Sequence, residues 1–183
     1  KHMKVIEGGV CAAKGFRANG VHCGIRKNHS KKDLSLIFST VPASAAAVYT
    51  TNLVKGAPLT VTKKHIANGT AQAVICNSGN ANTCNANGVE IAEEMCSLLA
   101  DKLGVSADTC NANGIEIAEE MSALAASALG IAAEDVVVAS TGVIGQPLSI
   151  DPIAAGLPGL VAGLSDNGSG TAAEGIMTTD TVR

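Results

Sequence analysis

Residues 83–108 (TCNANGVEIAEEMCSLLADKLGVSAD) and 109–134 (TCNANGIEIAEEMSALAASALGIAAE) align without a gap at a spacing of 26, and twelve of their first thirteen positions are identical. A period of this size usually signals a solenoid. Stacked repeats, however, need roughly three or more copies to bury a continuous core, and this chain has two. The pattern predicts instead a helix-plus-loop unit duplicated in tandem inside a fold that uses it once. In copy one, Ile91, Ala92, Met95, Leu98, Leu99 and Leu103 recur at the three-and-four spacing of an apolar helical stripe. Asn87 can cap its start and Gly104 can end it.

Two helices competing for one groove is a question of connectivity and size. Copy one follows 73–82 (AVICNSGNAN) and copy two precedes 135–140 (DVVVAS), so either is joined to a neighbouring strand. Copy one has Leu99 where copy two has Ala125. A buried Leu over Ala is worth about 1 to 2 kcal/mol, so copy one is expected to dock. Copy two is then displaced, added, or seated on a neighbouring molecule, and deleting 109–134 is expected to preserve or improve stability.

Around the repeat the periodicity is that of strands. Residues 33–40 (DLSLIFST) alternate Leu34, Leu36 and Phe38 against Ser35 and Ser39, as in a half-buried strand. Residues 46–51, 73–76 and 136–139 are further strand candidates. Residues 57–64 read as an extended segment passing into a short helix through His65 and Ile66. Asp151-Pro152 marks a helix start, and 171–174 (TAAE) reads as a capping box, after which 177–181 turns extended. At 183 residues the chain has room for a single domain over 1–183. Its core must use Val, Ile, Leu, Ala and Met, because Phe16, Phe38 and Tyr49 are its only aromatic residues. Lys1-His2-Met3 resembles the remnant of an expression tag and carries no weight in the argument.

Several function classes are disfavoured early. A formal charge of −3 gives no electrostatic basis for gripping a phosphate backbone, so nucleic acid is not expected as a partner. The longest apolar stretch, 153–164, is broken by Gly156, Pro158, Gly159 and Gly163 and falls short of the roughly 20 residues of a membrane span. No membrane association is expected. Cys11, Cys23, Cys76, Cys84, Cys96 and Cys110 form no C-x-x-C pair and stand apart from the histidines at zinc-binding spacing. The expectation is no metal, and free, mostly buried thiols in a reducing cytoplasm. Phosphate-binding glycine loops, the nucleophile elbow and H-E-x-x-H are all absent.

What remains is a set of small polar loops at strand ends. Residues 77–82 (NSGNAN) supply left-handed turns and self-capping side chains, as a structural turn would, or line a pocket. Ser140-Thr141-Gly142 pairs a stiff hydroxyl with the close approach that glycine allows. Such a pair can present two donors to one point, as an oxyanion hole does, or simply turn the chain. Residues 177–180 (MTTD) hold two hydroxyls and a carboxylate, consistent with a site or with a solvated edge. His22, His29 and His65 read as surface or structural residues. Lys14, Arg17, Arg26 and Lys27 read as a solvated basic face.

Taken in order, 15–21 (GFRANGV), 33–36 (DLSL), 52–58 (NLVKGAP), 77–82 (NSGNAN), 139–145 (ASTGVIG) and 175–181 (GIMTTDT) resemble the N-terminal part of the ornithine acetyltransferase family, the bifunctional glutamate N-acetyltransferases of arginine biosynthesis. The resemblance spans nearly the whole chain apart from one repeat copy, which the family pattern has once.

The resemblance implies an α/β fold of α+β type, a layered sandwich of mixed sheet and helices completed by a second (β) chain. Both chains come from one self-cleaving precursor, and the αβ unit pairs again. It implies a ping-pong transfer of acetyl from N-acetylornithine to glutamate through a threonine at the new N-terminus of the β chain, with its α-amine as base. Thr141 and Gly142 would form the oxyanion hole and Thr178 would contact substrate. No cofactor is implied, with acetyl-CoA as an optional co-substrate. The family's K-G-S-G and A-T-M-L motifs lie beyond I-M-T-T-D, and this chain ends at Arg183, so the nucleophile is expected on the companion chain. The alternatives are an inert or engineered fragment of the same fold and an N-terminal-threonine aminopeptidase.

Overall fold

A computed structural model of the chain describes residues 3–52, 55–83, 114–146 and 148–179. It contains a four-stranded mixed sheet in the order β1 (Phe16–Val21), β2 (Leu34–Ser44), β3 (Thr70–Asn77) and β4 (Val136–Ser140). The first three strands are antiparallel and β4 runs parallel to β3. The expected mixed, layered α+β architecture is therefore present in the described residues.

Register divides the side chains into two faces. Leu36 stands opposite Ile75, which stands opposite Val138, and this set, with Leu34, Ala73 and Val136, is buried. Three helices cover it: α1 (Ala57–His65), α2 (Gly114–Leu129) and α3 (Asp151–Ala162). Val61 comes from α1, while Ala118, Met121 and Ala125 from α2 and Ile153, Leu157 and Leu160 from α3 recur at helical spacing. Pro158 interrupts the hydrogen bonding of α3 on its exposed side. Among the described residues the opposite face, with Ile37, Val74, Cys76 and Ala139, carries α4 (Ser169–Ile176), which packs on β1 and β2, and the short 3-10 turn Gly9–Ala12 beside it, and those four residues stay half-buried.

The helix seated in the core is copy two of the repeat, contrary to the size argument. Ala125 is fully buried and Ser122, also fully buried, donates from its hydroxyl to the Ala133 carbonyl at 2.9 Å. The groove is matched to Ala, so a Leu there would overpack rather than stabilise. Copy one's helix, with its cap at Asn87 and stop at Gly104, lies outside the described residues.

Four local expectations also change. Residues 46–51 form no strand, and Val48 is 99% exposed with no sheet to pack on. The segment from residue 57 is helical from its first residue, because Pro58 falls in the first turn, where its missing N–H costs nothing. Helix α4 starts at Ser169, two residues before the capping-box Thr171, whose hydroxyl donates back to the Gly168 carbonyl at 2.8 Å. β1 is the reverse case, a strand that the Asn19-Gly20 pair disguised. Asn19 donates from its amide to the Leu160 carbonyl at 2.9 Å, and a Cβ on Gly20 would run into the Thr171 carbonyl, so both residues serve packing between layers.

The outer edge of β4 is closed by side chains of α1. Thr62 Oγ1 donates to the Val138 carbonyl at 3.0 Å and accepts from the Val138 N–H at 3.3 Å, and His65 Nδ1 lies 2.9 Å from the Val136 carbonyl. Thr62→Val keeps the shape and deletes both bonds, leaving a buried N–H and C=O unpaired. A loss of about 1 to 3 kcal/mol is expected, read as a lower midpoint in thermal unfolding. Thr62→Ser should restore most of it. Equal midpoints for wild type and Thr62→Val would show that the edge is not held this way.

Candidate active site

Two glycine-containing turns leave the adjacent C-terminal ends of β3 and β4 and lace together. The Thr141 N–H donates to the Asn77 carbonyl at 3.0 Å, the Val143 N–H to the Gly79 carbonyl at 3.2 Å, and the Ala81 N–H to the Val143 carbonyl at 2.8 Å. Ser140 Oγ accepts from the Asn82 N–H at 2.7 Å, and the Asn77 amide, fully buried, donates to the Asn80 carbonyl at 2.8 Å. Gly142 has φ +129°, and a Cβ there would lie 2.5 Å from the carbonyl carbon of Gly79. Only glycine allows these two backbones to meet. The turn 77–82 is thus both a structural turn and the wall against which Thr141-Gly142 is set.

Within the described residues the Thr141 hydroxyl and the Gly142 N–H make no hydrogen bond, and both residues are half-buried. Two adjacent donors are available at a strand end, beside Val143 and Ile144, whose apolar side chains are 55% and 63% exposed.

Thr178 follows α4 and is half-buried. Its backbone neighbours are tied to the 77–82 turn: Ser78 Oγ donates to the Gly175 carbonyl at 2.5 Å, and Arg26 Nη2 donates both to Ser78 Oγ at 2.8 Å and to the Met177 carbonyl. The dipeptide Ser78-Gly79 therefore touches both stretches, through Gly79 to Gly142 and through Ser78 to Gly175. Asp180 lies outside the described residues.

Arg26 is not part of a solvated basic face. No spacing rule marks it, since its partners are 52 and 151 residues away in the chain. The histidines do serve structure: His22 Nδ1 lies 3.2 Å from the buried Asp33 carboxylate and its Nε2 3.1 Å from His29 Nδ1. Cys11, Cys23 and Cys76 are free thiols, half-buried. Burial pushes the thiols of Cys23 and Cys76 up to about 12, with the Asp33 carboxylate adding to the effect at Cys23. Both stay protonated and unreactive at neutral pH. Among the described residues no group of His, Cys, Asp and Glu is arranged to hold a metal ion, and no helix is long and apolar enough to cross a membrane.

A mixed sheet with helices on both faces and two interlocked turns at its rim defines an α+β protein with a candidate site where parallel strands end. The ArgJ family model matches residues 17–112 and 106–183, and the chain belongs to the ArgJ family. It is 44% identical over 181 residues to the arginine biosynthesis bifunctional protein ArgJ of Symbiobacterium thermophilum, covering 98% of this chain and 39% of that protein. Its counterpart from Gloeobacter violaceus is 42% identical over 179 residues, covering 97% and 37%. The chain thus spans under two-fifths of the length of these relatives. Among solved structures it is similar to ArgJ from Bacillus halodurans (TM-score 0.74, 37% identity, 96% of this chain and 78% of that one). It is also similar to the ornithine acetyltransferase of Mycobacterium tuberculosis in complex with ornithine (TM-score 0.76, 34% identity, 96% and 81%).

Proposed function

We propose that this chain is the α portion of a cytoplasmic glutamate N-acetyltransferase of arginine biosynthesis, acting with a β chain from the same precursor in an αβ dimer of dimers. The observation that carries the reading is the pair of unengaged donors, Thr141 Oγ and Gly142 N–H, held at a rim where glycine meets glycine. Membership in the ArgJ family and the likeness to an ornithine acetyltransferase in complex with ornithine support assigning the pair to acetyl transfer.

In that reaction the β-chain N-terminal threonine attacks the acetyl carbonyl of N-acetylornithine, its own α-amine taking the hydroxyl proton. The carbonyl oxygen becomes an oxyanion, and Thr141 and Gly142 donate to it. Collapse breaks the C–N bond, the proton passes to the departing ornithine nitrogen, and an acetyl-threonine ester is left. The neutral amine of glutamate then attacks that ester, forming a second oxyanion in the same place. Its collapse breaks the bond to the threonine oxygen, which takes back a proton released by the attacking amine through the threonine α-amine, and N-acetylglutamate leaves. Thr178 contacts substrate beside the pair. No cofactor takes part, and acetyl-CoA is an optional acetyl donor.

The half-covered sheet face supports a companion layer. An apolar cleft of about 240 Å³ opens there between α4 and the sheet, lined by Ile37, Val74, Cys76, Ala139, Ala172 and Ile176. The length the relatives have beyond this chain is the occupant assigned to that face.

Incubating the full-length protein with N-acetylornithine and glutamate, and following N-acetylglutamate together with a mass increase of one acetyl group on the β chain, tests the proposal. Hydrolysis of a peptide amide without acetyl transfer would reassign the protein as an aminopeptidase. Neither reaction would mark an inert fragment.

A further inference from the structure

We propose that Arg26 is a positioning residue, which sets where Thr178 stands relative to Thr141 and Gly142. The inference rests on the functional reading above for its catalytic consequence and on the structure alone for its geometry.

Arg26 enters from a loop remote in sequence from all three residues. That loop is fastened from beneath by Asp33, whose fully buried carboxylate accepts the Cys23 N–H at 2.6 Å and the Arg26 N–H at 2.9 Å, and whose own carbonyl accepts the Ser78 N–H at 2.9 Å. A buried carboxylate spent on backbone amides makes a stiff anchor. From it the Arg26 stem runs across the α-carbon of Gly79, where a Cβ would lie 2.6 Å from Arg26 Cγ. Gly79 seats Gly142 with its backbone. Arg26 Nη2 then donates forward to the Met177 carbonyl and sideways to Ser78 Oγ.

One planar side chain therefore joins the turn that holds the oxyanion pair to the peptide immediately before Thr178. Ser78 alone fixes only the Gly175 carbonyl, at the end of α4. Among the described residues no carboxylate side chain pairs with the guanidinium. Its contacts are to a hydroxyl and a carbonyl, groups that fix position without neutralising charge. A fixed fork suits this better than the rotatable ammonium of lysine.

The test uses the full-length protein carrying Arg26→Met or Arg26→Lys. Arg26→Met is expected to raise amide hydrogen exchange at residues 177–179 at least about tenfold while β2 and β3 keep their protection. Misplacement on the ångström scale costs about a hundredfold, so kcat should fall by that order with KM for both substrates within about threefold. Arg26→Lys should recover part of both, and it provides the reading if Arg26→Met does not fold. Unchanged exchange at 177–179 would overturn the proposal whatever the enzyme does. A rise in KM with kcat and exchange intact would also overturn it, making Arg26 a direct substrate contact. Absence of acetyl transfer by the unaltered protein would remove the functional reading and leave the exchange result to decide the geometry.

Discussion

Thr141→Ala in the full-length protein is expected to lower acetyl transfer about a hundredfold to a thousandfold, the usual cost of one oxyanion donor, without moving the thermal unfolding midpoint. The two halves of the expectation come from different atoms. The Thr141 backbone N–H is bound to the Asn77 carbonyl and survives the substitution, whereas the deleted hydroxyl has no partner among the described residues. The fold loses nothing that it was using. The oxyanion exists only in the transition states and tetrahedral intermediates, so the loss should fall on kcat and equally on kcat/KM, with KM little changed. Both half-reactions should slow, because donor and acceptor pass through the same cradle. Unaltered turnover would dismiss the oxyanion assignment. A large drop in midpoint would show that the hydroxyl is structural.

The second large effect separates two deletions that leave chains of equal length. Removing 83–108 joins Asn82 to Thr109 and leaves copy two, the helix that occupies the groove as α2. Its midpoint should match that of the intact protein. Removing 109–134 leaves copy one to fill the same groove, with Leu99 in place of Ala125 and Cys96 in place of Ser122. Overpacking at the first position costs about 1 to 3 kcal/mol. Cys96 has no hydroxyl to give the carbonyl of Ala107, which takes the place of Ala133, the bond that Ser122 makes, a loss of about 1 to 3 kcal/mol more. At about 2 to 4 °C per kcal/mol for a domain of this size, the midpoint should fall by several degrees at least. Equal midpoints for the two deletions would mean that the groove does not distinguish the copies.

The same pair of positions shows where reading the sequence succeeded and where it could not. Periodicity found the strands at β2, β3 and β4 and the start of α3, because alternation and the Asp-Pro pair are local signals backed by burial. It misjudged which helix docks, since the size of a groove is a property of residues far away in the chain. β1 was hidden for the same reason. Asn19 and Gly20 are poor strand formers, but one reaches α3 and the other lets α4 approach. At the site, Thr141-Gly142 stood out as a pair of donors at a strand end, whereas Arg26 carried no mark at all. A long-range bridge of one side chain to a hydroxyl and a carbonyl has no spacing to recognise.

The way α1 closes the margin of β4 has a further consequence. At the opposite margin, the Ala18 N–H and carbonyl are taken by the Ser165 carbonyl and N–H at 3.0 and 3.2 Å. With both borders engaged, the sheet offers a newcomer little chance to join by strand addition. Among the described residues a partner gains easier access by stacking, one layer laid upon another, so the architecture favours lamination over lengthening.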